Sequence, residues 1–167
     1  GPKVEQHVTG LLVQLGMPSA QLRIEVAPAG ELRADGADLI RFLFTANRNT
    51  SLQPIEKVAS GGEMSRLMLS LKALVAAHAQ LPTIIFDEID TGFSGAIADK
   101  MGEIITNLSG SLQVVNITHL PQVASKGDHH FLVYKEETPE GTLSRIRKLS
   151  SEARVAEIAK MLSGSAV

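Results

Sequence analysis

The chain has no cysteine and no tryptophan. Without cysteine there is neither a disulfide nor a thiolate metal site, which fits a cytosolic protein. Only 4% of its residues are aromatic, too few for a base-stacking surface that binds single-stranded nucleic acid. Neither sign of charge dominates. Sixteen Lys and Arg against 18 Asp and Glu give a formal net charge of −2, so no strongly basic nucleic-acid face is announced. No apolar run approaches the ~18 residues of a membrane span. No basic region followed by an apolar one marks a secretory signal. A G-x-x-x-x-G-K-[ST] sequence is missing too, and with it the P-loop that cradles nucleotide phosphates. There is no initiator methionine either. The opening Gly1-Pro2 reads as a tag-cleavage scar, and a longer native chain is expected.

What remains is ordinary globular material. The 167 residues are 44% hydrophobic and 20% charged, enough for one domain with a real core. The chain is organised around Val58-Ala59-Ser60-Gly61-Gly62-Glu63-Met64-Ser65-Arg66. Met64, Leu67, Met68, Leu71, Leu74 and Val75 then follow the 3/4 spacing of a buried helix face. A serine-glycine loop feeding a helix start presents free backbone N–H groups and the positive end of the dipole, which together receive anions. The plainer reading is an N-cap serine and a glycine turn.

The elements on either side are legible from periodicity. Val4, Val8, Leu11, Leu12 and Leu15 form one helical stripe closed by Gly16 and Pro18. That stripe is either a plain amphipathic helix or the last turns of a coiled coil. Leu22, Ile24 and Val26 alternate as a strand, residues 28–38 read as a connection, and 39–46 as a second strand of an antiparallel pair. Residues 47–54 read as loop. The helix from Glu63 is expected to reach about His78. A strand at 83–87, a helix at 96–108, a buried strand at 112–118 and a short helix at 121–125 follow. Two strands, 130–135 and 143–148, flank the turn Thr138-Pro139-Glu140-Gly141. A closing helix runs from 152 to 162, with Ser150 or Ser151 as cap and Gly164 as stop. Alternating strands and helices predict an α/β fold whose centre is a mainly parallel, doubly wound sheet, with some antiparallel strands. Functional groups then belong at the strands' carboxyl ends.

Three such groups stand there. Asp87 ends an apolar strand, where a carboxylate suits Mg²⁺ on a nucleotide. Glu88 follows it and can orient or deprotonate an attacking water. His119 ends the next strand, where an imidazole can hydrogen-bond a γ-phosphate. The plainer alternatives are two solvated acids and a histidine with a structural bond. Asp90-Thr91-Gly92 is a turn sequence in its own right. His129 and His130 beside Asp128 point to opposite faces of a strand, so no metal site is assigned there.

In this order the serine-glycine loop, the Asp87-Glu88 strand end and Thr118-His119 resemble the signature loop, Walker B strand and switch histidine of an ABC-type ATPase. Asp87-Glu88-Ile89-Asp90 lacks the proline that transporters place after the glutamate, and so resembles the SMC-like side of that superfamily. Phe86 to Gly92, Thr118-His119-Leu120-Pro121-Gln122-Val123-Ala124, Asp128-His129-His130 and residues 154–162 extend the likeness to the SMC-like ATPases of bacterial DNA repair. It covers about residues 42–164 well and the first forty more loosely. Asn47-Arg48-Asn49 departs from the family's Asn-Pro-Gly.

The resemblance implies the C-terminal lobe of an SMC-type head over residues 17–167, with residues 1–16 as the root of a returning coiled coil. It implies ATP and Mg²⁺ as cofactors, with Asp87 at the metal and Glu88 and His119 catalytic in cis. Ser60, Gly61, Gly62 and Glu63 would touch nucleotide held by a second head, and the loop at Asp90 would cross toward it. The partners implied are the chain's own N-terminal P-loop half, a second head in a homodimer, and DNA ends, with no membrane. The place implied is the cytoplasm, at the nucleoid, and the work implied is double-strand break repair and recombination. The rival readings are a transporter nucleotide-binding domain and a non-catalytic interaction lobe.

Overall fold

The computed structural model describes residues 1–58, 60–79, 81–139 and 141–164. Ala59 of the serine-glycine stretch and Glu140 of the expected turn lie outside the described residues. Helix α1 (Pro2–Gln14) opens the chain and ends where Gly16 takes φ +78°. The expected stripe is inward: Val8, Leu12 and Leu15 are fully buried. The Glu5 carboxylate accepts the Ile24 N–H at 2.8 Å, tying α1 to the strand that follows.

Strands β1 (Gln21–Arg33) and β2 (Gly36–Thr45) form a long antiparallel hairpin. The expected connection at 28–38 is therefore mostly strand, with its register shifting between Pro28 and Arg33. Proline, glycine and acidic residues suggested a loop there. Pro28 lacks only the N–H and tolerates a bulged hairpin strand. Residues 47–54 are not all loop either, because β3 (Gln53–Pro54) pairs with the end of β2. A 3-10 turn (Ile55–Lys57) leads toward Ser60.

Helix α2 (Gly61–His78) is the spine. It lies between two apolar clusters. Leu67 is buried against Val8, Leu12, Leu22 and Phe44, with Leu71 and Leu74 beside them. Leu69, Ala73 and Ala76 are buried in a larger cluster with Phe86, Met101, Ile105 and Leu112. A single buried face was expected. Burial on two sides brings in Leu69, Ala73 and Ala76, while Val75 is 55% exposed.

Strands β4 (Thr83–Asp87) and β5 (Gln113–Ile117) are parallel neighbours. Helix α3 (Gly95–Ser109) crosses between them and buries Ala98, Met101, Ile104, Ile105 and Leu108. Phe86 is fully buried, a burial of the kind worth ~3–5 kcal/mol against alanine. It anchors the strand one residue before Asp87. The opposite face of this pair is bare, with Ile85, Val115 and Ile117 at least 41% exposed. The parallel sheet is thus two strands covered on one side, and among the described residues helices do not flank both of its faces.

Helix α4 (Pro121–Ala124) packs on α3, where Gly102 leaves room for the Lys126 stem. Strands β6 (Phe131–Thr138) and β7 (Gly141–Lys148) form a second antiparallel hairpin. Phe131, Val133 and Ile146 stand exposed on one of its faces. Helix α5 (Ser151–Ser163) closes the chain, capped by Ser150 and stopped by Gly164 at φ +65°. The expected combination of a parallel sheet, flanking helices and antiparallel strands is present. Among the described residues the parallel part is a single pair. No helix among them is long and apolar enough to cross a membrane.

Candidate functional site: three loops at one edge

Ser60 sits at the entry to α2 with extended backbone, and its hydroxyl accepts the Glu63 N–H at 3.4 Å. The plainer N-cap reading is therefore true as structure. Helix geometry leaves the first N–H groups of α2 without carbonyls one turn back. Gly61 is open: a Cβ there would meet nothing within 4 Å. Gly62 is closed in on one side by Gly92. Ser60 and Gly61 therefore face outward, and Glu63 is half-buried beside them.

Asp87 ends β4 opposite Ile117 on the bare face of the parallel pair, and its side chain is exposed. Glu88 is the only non-glycine residue among the described ones with positive φ, at +47°. Its N–H is held by the Ile117 carbonyl at 3.2 Å. The chain leaves the sheet there by a left-handed step, which a glutamate adopts at a cost. Its carboxylate remains exposed.

Asp90 does not face outward. It is 1% exposed. Its Oδ2 accepts the Thr118 hydroxyl and, at 3.2 Å, the His119 N–H. Thr118 Oγ1 in turn accepts the Leu120 N–H at 3.0 Å. The His119 Nδ1 lies 3.4 Å from the same carboxylate oxygen, while the ring is 72% exposed. The neighbouring Thr91 and Gly92 are exposed.

The Thr91-Gly92 turn closes the set. Gly92 has φ +80°, and a Cβ on it would stand 2.7 Å from the Gly62 Cα. Arg66 Nη2 donates to the Gly92 carbonyl at 2.9 Å. Its guanidinium also lies 5.4 Å from the centre of the Phe93 ring.

One edge thus collects Ser60, Gly61, Gly62 and Glu63 at the head of α2, Asp87 at the end of β4 with Glu88 and Asp90 after it, and His119 after β5. Sequence reasoning gave no role to Arg66, Thr118 or Phe93. Arg66 stands four residues after Gly62, hence on the same side of the helix one turn along. That spacing was available as a signal. The partnership of Thr118 with Asp90 spans 28 residues and left none.

The open serine-glycine turn at a helix start and the exposed carboxylates at the strand ends suit a nucleotide phosphate and a hard cation respectively. No group of three or more His, Cys, Asp or Glu among the described residues could hold a metal by itself, so a cation here would need further oxygens from the nucleotide or another segment.

No protein-family model matches the chain. It is 39% identical over 166 residues to the DNA repair protein RecN of Vibrio cholerae, covering 99% of this chain and 30% of that protein. It is 43% identical over 134 residues to the Bacillus subtilis DNA repair protein RecN, covering 80% and 23%. The chain spans less than a third of the length of these relatives. Among solved structures it is similar to the Smc head domain with a coiled coil and joint from Pyrococcus yayanosii. The TM-score there is 0.72 at 20% identity, over 94% of this chain and 28% of that one. A second likeness is to a structure described by ATP-driven dimerisation and DNA-stimulated activation of SMC ATPases. Its TM-score is 0.65 at 18% identity, over 95% and 91%. At those identities the likenesses establish the fold. Over its whole length the chain is a RecN-related sequence on the fold of the SMC head domains, matching one segment of those longer proteins.

Proposed function

We propose that this chain is the C-terminal half of an SMC-like ATPase head that works in DNA double-strand break repair and recombination. The observation that carries the reading is the convergence of Asp87, Glu88 and His119 on adjoining ends of two parallel strands, with Gly92 of the loop after β4 packed on Gly62 at the head of α2. The RecN relatives supply the setting of DNA repair.

The other half of the head, bearing the P-loop, covers the bare face of β4 and β5. Residues 17–167 then form the C-terminal lobe, and α1 is the root of a returning coiled coil. ATP and Mg²⁺ bind mainly to the P-loop half, and the nucleotide supplies the phosphoryl group that hydrolysis releases. In this chain Asp87 offers a hard oxygen toward the cation. Glu88 accepts a proton from water held at the strand end. His119 presents its exposed ring where a phosphate oxygen is to be sensed. Ser60, Gly61, Gly62 and Glu63 face the nucleotide of a second head, so that binding favours a paired state and hydrolysis releases it. The full protein acts on DNA ends in the cytoplasm, at the nucleoid. Ile89, where transporters carry proline, argues against a transporter domain.

The test is steady-state Mg·ATP hydrolysis by this chain alone and after joining to an upstream half bearing a P-loop. Silence alone and turnover on joining is the expected result. Turnover by the chain alone overturns the split-site reading. Silence in both, with DNA present, favours a non-catalytic interaction lobe.

A further inference from the structure

Arg66 belongs to the loop edge but has no part in the proposed chemistry. It makes two contacts with the same short turn. Nη2 donates to the Gly92 carbonyl at 2.9 Å, and the guanidinium lies over the Phe93 ring. Phe93 is 5% exposed and sits in the larger core cluster, so its ring is a fixed platform. Its N–H donates to the Asp90 carbonyl at 3.1 Å. One turn back along α2, Gly62 touches Gly92 backbone to backbone. The loop that leaves β4 is therefore held to the first turns of α2 at two points, and at its other end Asp90 holds Thr118 and His119.

We propose that Arg66 is a positioning residue that clamps this loop to α2, so that the Ser60-Gly61-Gly62 turn and His119 are carried as one body. The role in turnover rests on the proposed reading of those two segments as ATP-facing; the clamp itself does not. Arginine suits the task because a planar fork bonds a carbonyl in its own plane while its face lies on an aromatic ring. A lysine ammonium has no plane to do both. The Arg66 Nε is buried with no hydrogen-bond partner. The geometry is set by Gly92 and Phe93, at the expense of that third donor.

The test uses the full-length protein with Arg66→Ala, Arg66→Lys and Phe93→Leu. Amide hydrogen exchange is followed without nucleotide across residues 91–95 and across the middle of α2. We expect exchange in 91–95 to rise at least tenfold in both Arg66 variants and less in Phe93→Leu, with the middle of α2 unchanged. MgATP affinity of the unpaired head should stay within twofold, while kcat falls about tenfold at constant KM. Wild-type exchange in all three variants overturns the clamp, as does full restoration by lysine, which would assign the effect to charge alone. Should an Arg66 variant not fold, Phe93→Leu decides by the same readout. Loosened exchange in a protein that never hydrolyses ATP, even as wild type, upholds the clamp and sinks the proposed function instead.

Discussion

Asp90 and Thr118 join the carboxyl ends of two neighbouring parallel strands through a side-chain hydrogen bond, with the carboxylate 1% exposed. A carboxylate so placed is tolerated because two donors meet its Oδ2, although its Oδ1 is buried with no hydrogen-bond partner. Here the Thr118 hydroxyl and the His119 N–H both come from the segment after β5. The arrangement fixes the backbone that bears His119 and leaves its ring outside. Asp90→Ala leaves the Thr118 hydroxyl and the His119 N–H without their acceptor, and should lower stability by roughly 1–3 kcal/mol. Asp90→Asn keeps one acceptor oxygen and should lose less. Urea midpoints of the three proteins check this. Equal midpoints for wild type and Asp90→Ala would show that the bridge carries no stability.

Glu88 combines an exposed carboxylate with a left-handed backbone at φ +47°. Its two replacements should separate chemistry from strain. Glu88→Gln keeps the backbone and removes the proton acceptor, so turnover in the complete head should fall by roughly 10²–10⁴-fold, with paired heads accumulating on ATP. Glu88→Gly relieves the strain while losing the same carboxylate. It should be no less stable than Glu88→Gln in thermal melts, although glycine elsewhere usually destabilises. Normal hydrolysis by Glu88→Gln would remove the water-activating role.

The sequence made much of this visible, for physical reasons that differ by element. The strand at 83–87 was readable because a short apolar run bounded by Pro82 and two acids has few other folds to adopt. The helix at 61–78 was readable because Ser60 and Glu63 mark a start and leucines follow. Its packing was not. Val75 shares the spacing of the leucines yet is exposed, because α2 is wedged between two clusters instead of lying on one. Residues 28–38 failed as a loop since Pro28 and the glycines permit a bulged hairpin as well as a turn. In the site, Asp87, Glu88 and His119 could be placed by strand ends alone. That Asp90 faces inward depends on a threonine 28 residues away, and periodicity says nothing about such a pair.

The bare face of the parallel pair gives the last prediction. Ile85, Val115 and Ile117 project from one side of β4 and β5, while Phe86 on the other side is fully buried. A two-stranded parallel sheet is ordinarily covered on both faces. If the upstream half of the head supplies the cover, polar replacement here should spare this chain and damage the assembly. Ile85→Ser with Val115→Ser should leave the melting of the isolated chain unchanged or nearly so, since surface substitutions usually fall within about ±0.5 kcal/mol. The same pair of changes should weaken association with a separately expressed upstream half. Each buried branched side chain lost from an interface forfeits about 1.5–3 kcal/mol of transfer energy, so the combined loss in affinity should exceed a hundredfold. Calorimetric titration of the two halves measures it. Undiminished affinity would show that the partner sits elsewhere, with the exposed face of Phe131, Val133 and Ile146 on the β6–β7 hairpin as the next surface to alter.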